Sequence, residues 1–422
     1  MSELSHGVLL QEQGRIEEAE ACFRSVLSRE PENDFVHNRL ALCLLDQEGK
    51  KSLALDSINE AVRIRPEDPF HHGIKSLILA EMRKGRDALA AADTAISLDP
   101  ENSFSLAAKA NAYCAMDRWS DGEEWSRRAL VADSDNTMAA NLLTLTLRMQ
   151  GKSDQNEAAV DQLLAANPES DIAHINAGWT ALHRGDHRKA EEHFREALRL
   201  DPDCDHARDG LVESFRARSP LYRAYLSYCF FMQRFTGGKQ WMIIIGIYLV
   251  YRFASQALKQ VHPLLAAGLA FLWLGLVMWV WLAPGIGNLL ILLDRNARLA
   301  LQRSEKMQGI AVGGGLVFGL IGIGLGYGLD LSPALLAGFG LLVSTVPASL
   351  AFDNESAAGR LLFGLITGYI YLATIGTVIL ESVRNSGKMH DVTMILGTIA
   401  LLAAVLCTWL GNVPALRRKK QT

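Results

Sequence analysis

Residues that could do chemistry are few in this chain, and their spacing is poor. Asp353 and Glu355 form the best carboxylate pair, with Arg360 close behind. Two carboxylates can serve as acid and base where their surroundings push their pKa values apart. This pair falls between two apolar runs, so it reads as a solvated loop. His183, His187 and His193 are the next candidates, the first two lying four residues apart. On one continuous helix that spacing would let two imidazoles share a metal ion. Gly185-Asp186 interrupts the stretch, and the nearby Asp and Glu read as solvated surface, so no metal site is expected. The six cysteines are Cys22, Cys43, Cys114, Cys204, Cys229 and Cys407, with no Cys-x-x-Cys and no zinc spacing. They read as reduced, buried, small apolar side chains. The chain has no His-Glu-x-x-His, no phosphate loop and no nucleophile–base set. The expectation is a protein that is not an enzyme and has no cofactor.

The elements that would position such residues follow a ruler. Pro31, Pro66, Pro100, Pro168 and Pro202 stand at intervals of 35, 34, 68 and 34 residues, with Ser134 where the missing proline would be. A fixed period of this size signals stacked helix pairs. Gly7, Ala19, Phe23 and Pro31 recur as Gly178, Ala190, Phe194 and Pro202, at spacings of 12, 4 and 8. The copies between carry Ala54/Ile58/Ala61, Ala88/Ala92/Ala95, Ala110/Gly122/Ser126/Ala129 and Asn156/Val160/Leu163. Small residues belong where antiparallel helices cross closely. The larger residue four positions on fills the space beside the crossing. Proline ends one unit and starts the next, because it lacks an N–H and restricts the residue before it. Gly14, Gly49, Gly85, Gly151 and Gly185 are expected to cap the first helix of each pair.

This pattern resembles the tetratricopeptide repeat (TPR) over residues 1–202, in about six copies. Ser134 in place of proline, Asn156 in place of a small residue, and the lack of a tryptophan at the usual fourth position depart from it. The resemblance implies an all-α fold, a right-handed solenoid whose concave groove is lined by first helices and binds a protein partner. Carried onto this sequence, the groove positions are Arg39, Phe70, Leu77, Phe104, Asn111, Met138, Asn141, Leu145, Arg148, Trp179 and His183. The lining suits an apolar or amphipathic peptide; the competing reading is that much of the stripe is packing between repeats. The Lys/Asn/Arg set with which some relatives grip a terminal carboxylate is not found. Cys43 stands where its Asn would be wanted.

Charge divides the chain. Residues 1–215 hold 24 Lys+Arg and 39 Asp+Glu, whereas residues 216–422 hold 18 and 7. An acidic repeat array argues against nucleic acid as a partner. The N-terminus has no basic region followed by an apolar core, so the array is expected to stay on the side where it is made. Residues 203–239 hold a polar capping helix, Asp203–Arg218, and then Ser219–Arg234, which resembles an interfacial amphipathic helix. The latter places Leu221, Tyr225, Tyr228, Phe231 and Met232 on one side; docking on the last repeat is the alternative.

Residues 240–422 read as a transmembrane domain of six helices, at about 240–258, 264–283, 309–328, 333–352, 361–381 and 392–411. Asn288–Ala300 is either an interfacial helix or the kinked end of the second span. Trp241, and the members of Trp273, Trp279 and Trp281 that fall near span ends, suit an interfacial belt. With the N-terminus inside, fourteen basic residues, including the 417–420 tail, face inward, against Arg252, Lys259, Arg384 and Lys388 outward. The positive-inside rule then puts both termini in the cytoplasm of a multi-pass cell (inner) membrane protein. Arg252 is taken as near the end of the first span, so that no charge sits mid-span. Thr345, Pro347 and Ser349 make one mildly polar stretch. Nine glycines between Gly309 and Gly328 suggest close packing within the bundle, or a homo-oligomer seam.

The chain as a whole resembles bacterial polytopic TPR membrane proteins. The expected function is a scaffold that recruits a protein partner to the cytoplasmic face of a lipid bilayer. The alternatives are a transporter or membrane enzyme regulated by its TPR domain, and an assembly factor for envelope polysaccharide or secretion machinery.

Overall fold

The computed structural model describes residues 2–47, 49–235, 239–354, 356–383, 391–411, 413 and 416. The side chains of Lys239 and Trp241, together with Glu355, Arg384, Lys388 and the 417–420 tail, lie outside the described residues. Two compact units divide between Ala207 and Arg208. Among the described residues every regular element of both is a helix.

Among the described residues, twelve helices of the first unit form six pairs. They are α1 (Glu3–Glu12) with α2 (Ile16–Arg29), α3 (Asp34–Leu45) with α4 (Lys51–Ile64), and α5 (Pro69–Glu81) with α6 (Gly85–Leu98). Then come α7 (Ser103–Ala115) with α8 (Trp119–Ala132), α9 (Thr137–Gln150) with α10 (Ser153–Ala166), and α11 (Asp171–His183) with α12 (His187–Leu200). First helices also pack against first helices along the array, making one continuous layer.

N-caps keep the period more strictly than the prolines do. Asn33, Asp68, Asn102, Asn136 and Ser170 each accept a hydrogen bond from a backbone N–H in the first turn of α3, α5, α7, α9 and α11. Each cap is worth about 1 kcal/mol. Asn136 starts α9 normally, which is why Ser134 can replace proline without loss of register. A second periodic bond joins a histidine to the proline six residues before it. His37, His72 and His174 bond through Nε2 to the carbonyls of Pro31, Pro66 and Pro168 at 2.9, 2.8 and 3.1 Å.

The small-then-large pattern does what close packing requires. A Cβ on Gly7 would lie 2.9 Å from the Phe23 ring, and one on Gly178 2.7 Å from that of Phe194. Both rings are fully buried. The turn glycines need one correction. Gly14, Gly49, Gly151 and Gly185 take the left-handed conformation, but in the third repeat Arg83 takes it, and in the fourth Asp117. Gly85 instead opens α6, where a Cβ would meet Met116 at 2.3 Å. It is glycine for close approach, not for a turn.

Buried carboxylates tie neighbouring repeats together. Glu20 accepts from Arg24, Gln47 and Lys50; Glu123 accepts from Arg127, Gln150 and Lys152 at equivalent positions. Burial alone would raise the Glu20 carboxyl. The donors from Lys50, Arg24 and Gln47 outweigh it and bring the group down to about 2.

Among the described residues, the second unit holds six helices long and apolar enough to cross a membrane. They are α15 (Lys239–Val261), α16 (Pro263–Leu293), α17 (Arg303–Gly328), α18 (Ser332–Phe352), α19 (Ala357–Val383) and α20 (Asp391–Leu410). Helix α13 (Asp205–Arg216) straddles the division, and α14 (Pro220–Gln233) follows it. The second span does not stop at Pro284: α16 continues as helix to Leu293. Arg252 lies near the middle of α15, not near its end, so the expectation of no mid-span charge fails.

Glycines let α17 approach its neighbours. A Cβ on Gly322 would lie 2.9 Å from the Gly338 Cα of α18, and one on Gly309 2.9 Å from the Leu289 backbone of α16. Gly313, Gly315, Gly319 and Gly326 are similarly crowded, whereas Gly324 and Gly328 face open space. In α14 the docked side is Tyr222, Leu226 and Phe230. Of the stripe read from the sequence, Leu221, Tyr228 and Phe231 stand exposed and face away.

One polar network runs through this unit. Arg216 donates to Asn288 (2.9 and 2.7 Å), Glu213 (2.6 Å) and Glu305 (3.1 Å). The Tyr222 hydroxyl donates to Glu213 at 2.9 Å. Asn288 donates to Gln308, which donates to Ser349 of the mildly polar stretch. Burial would lower the Arg216 guanidinium, but Glu213, Tyr222 and Glu305 hold it above its usual range.

Candidate protein-binding groove

Cap geometry fixes a register, and the register lines up side chains. Two residues past each N-cap stand Phe35, Phe70, Phe104, Met138 and Ile172; from Ser2 the same step reaches Leu4. Phe35, Phe70 and Ile172 are 45%, 44% and 48% exposed, unusually open for apolar residues that recur once per repeat. The Phe70 and Phe104 rings lie 4.7 Å apart, so adjacent rungs touch. Gly73 makes room: a Cβ there would lie 2.6 Å from the Phe104 ring. Nine residues past each cap runs a second, half-buried series of Leu42, Leu77, Asn111, Leu145 and Trp179.

All eleven residues assigned from the sequence lie on first helices α3, α5, α7, α9 and α11. Phe70 is exposed, and the other ten are half-buried. Two clusters form among them. Phe70 and Phe104 make the first. Asn141, Arg148 and Trp179 contribute to the second, where Asn176 donates to Asn141 at 2.8 Å and the Arg148 guanidinium sits 5.9 Å from the Trp179 ring centroid. Trp179 also meets the buried Phe194 edge-on at 5.5 Å, so it serves packing as well. Arg39 stands apart, 5.2 Å from the Phe35 ring centroid and donating to the Gln11 side-chain Oε1 at 3.4 Å. Met138 leans on the core around Leu106 and Ala139. Desolvation pulls the Arg148 guanidinium down to about 10, which leaves it charged at neutral pH. Among the described residues no carboxylate pairs with it.

Phe35, Ile172 and Asn176 were missed from the sequence. The signal for the first two was the Asn/Asp/Ser cap two residues upstream. The histidines part company in the fold. His193 lies with its Nδ1 3.2 Å from that of His174 on α11. Of the nearby acids read as solvated, Glu191 is buried and pairs with Arg195. A compact group of Asp34, Asp68 and His71 was also not anticipated. Its members are satisfied within the chain: His71 Nε2 donates to Asp34 at 2.9 Å, Asn38 donates to His71 Nδ1, and Arg65 pairs with Asp34. Asp353 and Arg360 are exposed at helix ends. Cys43, Cys114 and Cys407 are buried, and burial pushes the Cys43 and Cys114 thiols up to about 12.

Comparison with known proteins agrees with this architecture. The tetratricopeptide-repeat family pattern matches residues 4–69 and 145–203. No curated protein matches the chain. Among solved structures, a thermophilic TPR protein of Thermus thermophilus is 18% identical, with a TM-score of 0.41, covering 43% of this chain and 98% of its own. PilW, described as a widely conserved type IV pilus biogenesis factor, is 15% identical, with a TM-score of 0.40, covering 50% and 96%. YrrB, described as a TPR protein with an unusual peptide-binding site, is 17% identical, with a TM-score of 0.30, covering 44% and 95%. The first unit is thus similar to tetratricopeptide-repeat proteins, and six long apolar helices follow it.

Proposed function

We propose that this protein is a membrane-anchored scaffold that holds a partner protein along its first-helix layer. The apolar ladder Phe35–Phe70–Phe104–Met138–Ile172 carries the reading. Repeated apolar residues left open on one layer fit an extended or amphipathic segment of a partner. Arg148 beside Trp179 supplies a cation at one end, so an acidic residue next to the apolar segment would bind best. The six apolar helices would place the array at a bilayer. The excess of basic residues on one side favours termini in the cytoplasm. Gly324 and Gly328 remain the outward positions available for self-association of α17.

The test uses the full chain, solubilised in neutral detergent and immobilised. A partner captured by the wild type should be lost from Phe70→Ala/Arg148→Gln, with the melting temperature unchanged. A partner retained by that double variant would remove the groove from the account. An N-terminal tag cut by protease outside intact cells would overturn the cytoplasmic placement.

A further inference from the structure

Helix α15 carries a group of residues that the scaffold reading does not use. Tyr248, Tyr251, Arg252, Ser255 and Lys259 recur every three to four positions and therefore share one helical face. They line a pocket of 610 Å³ between α15 and the start of α16. The space exists because α16 presents only small residues there, Pro263 and the alanines at 266, 267 and 270. Tyr251 stacks on Trp273 with ring centroids 4.7 Å apart and planes 10° apart, which closes one wall. Arg252 and Lys259 are exposed, and among the described residues neither has an ion-pair partner. The Ser255 residue is 6% exposed, and its hydroxyl makes no hydrogen bond among the described residues.

A guanidinium near the middle of a membrane helix costs several kcal/mol unless something neutralises it. Two turns separate Arg252 from Lys259, about 10 Å along the axis. Lys259 therefore sits near the helix end, and Arg252 lies two turns before it. Arg252 flanked by a tyrosine hydroxyl and a serine hydroxyl is chemistry for a phosphate. The exposed Ile245, Leu249 and Phe253 on the same helix offer apolar surface for acyl chains. We propose that this pocket binds the phosphate of an anionic phospholipid, drawn below the usual headgroup plane. The inference rests on α15 and α16 lying in a bilayer, but not on the groove.

Native mass spectrometry of the full chain in neutral detergent tests it. The wild type should retain phosphatidylglycerol or cardiolipin in preference to phosphatidylcholine. Arg252→Gln/Lys259→Gln should retain it roughly thirty-fold less. Arg252→Lys, which keeps the charge, should retain most of it and thereby controls for misfolding. Equal retention of phosphatidylcholine, or unchanged retention by the double glutamine variant, would overturn the proposal. Displacement of the lipid by millimolar inorganic phosphate would overturn the lipid as the source of the phosphate. Loss of groove binding in the earlier test leaves all of these readouts standing.

Discussion

The two units pack helices under opposite rules. In the repeat array, water drives burial, so a small residue at each crossing is matched by a large one such as Phe23 or Phe194. In the bundle the helices are long and apolar enough to cross a membrane, and contact comes from backbone approach at Gly309, Gly322 and Gly338. Polar groups are also handled differently. The array repeats one device, the carboxylate clasp, at Glu20 in its first helix pair and at Glu123 in its fourth. The bundle links several of its polar groups across helices in one extended network, from Arg216 through Asn288 and Gln308 to Ser349. Stability in the array is therefore distributed, and in the bundle it is concentrated.

That contrast can be broken most sharply at its centres. Arg216→Ala leaves two carboxylates and Asn288 without their donor, and should cost about 3–5 kcal/mol. Thermal unfolding of the solubilised chain should show the loss in the bundle transition; a transition unmoved by the change would show that the network holds nothing. Phe194→Ala should cost a similar 3–5 kcal/mol, confined to the array. A smaller effect sharpens the glycine rule. Gly338→Ala would press a Cβ against backbone atoms at 2.5 and 2.6 Å and should cost about 1–3 kcal/mol. Gly324→Ala, in open space, should stay within about 0.5 kcal/mol.

Acid should act on the array next. Glu20 titrates near 2 in the fold, against a reference value of 4.5. Its contribution is complete above 4.5 and is lost as pH falls from there toward 2. His193 works the same way at higher pH: burial and the neighbouring His174 lower its pKa, so protonation below about 6.5 opposes folding. Urea midpoints at pH 7, 5 and 3 should fall in two steps, and Glu20→Gln should flatten only the lower one. The smallest effect on stability belongs to Phe70→Ala, which should change the unfolding free energy read from urea titration by less than about 0.5 kcal/mol while weakening partner binding. A large loss of stability there would mean that the ladder is packing.

The period, the helix pairs, the six apolar spans and the first-helix stripe were legible in the sequence, because each is a local or repeated signal. Proline, cap and small-residue positions recur at one spacing, and hydrocarbon thickness dictates a run length. Four things were decided only by tertiary structure. Gly85 proved to be a contact with Met116, since crowding depends on the next repeat. Tyr222 faces inward in α14, because Glu213 and Gly287 receive it there. Arg252 falls near mid-helix and opens onto a pocket, because helix ends and the alanines of a neighbour set its depth and surroundings. Arg216 meets Asn288 across 72 residues of chain. No periodicity announces that pairing, because a buried polar contact is made by the approach of separate helices and not by the pattern of either one.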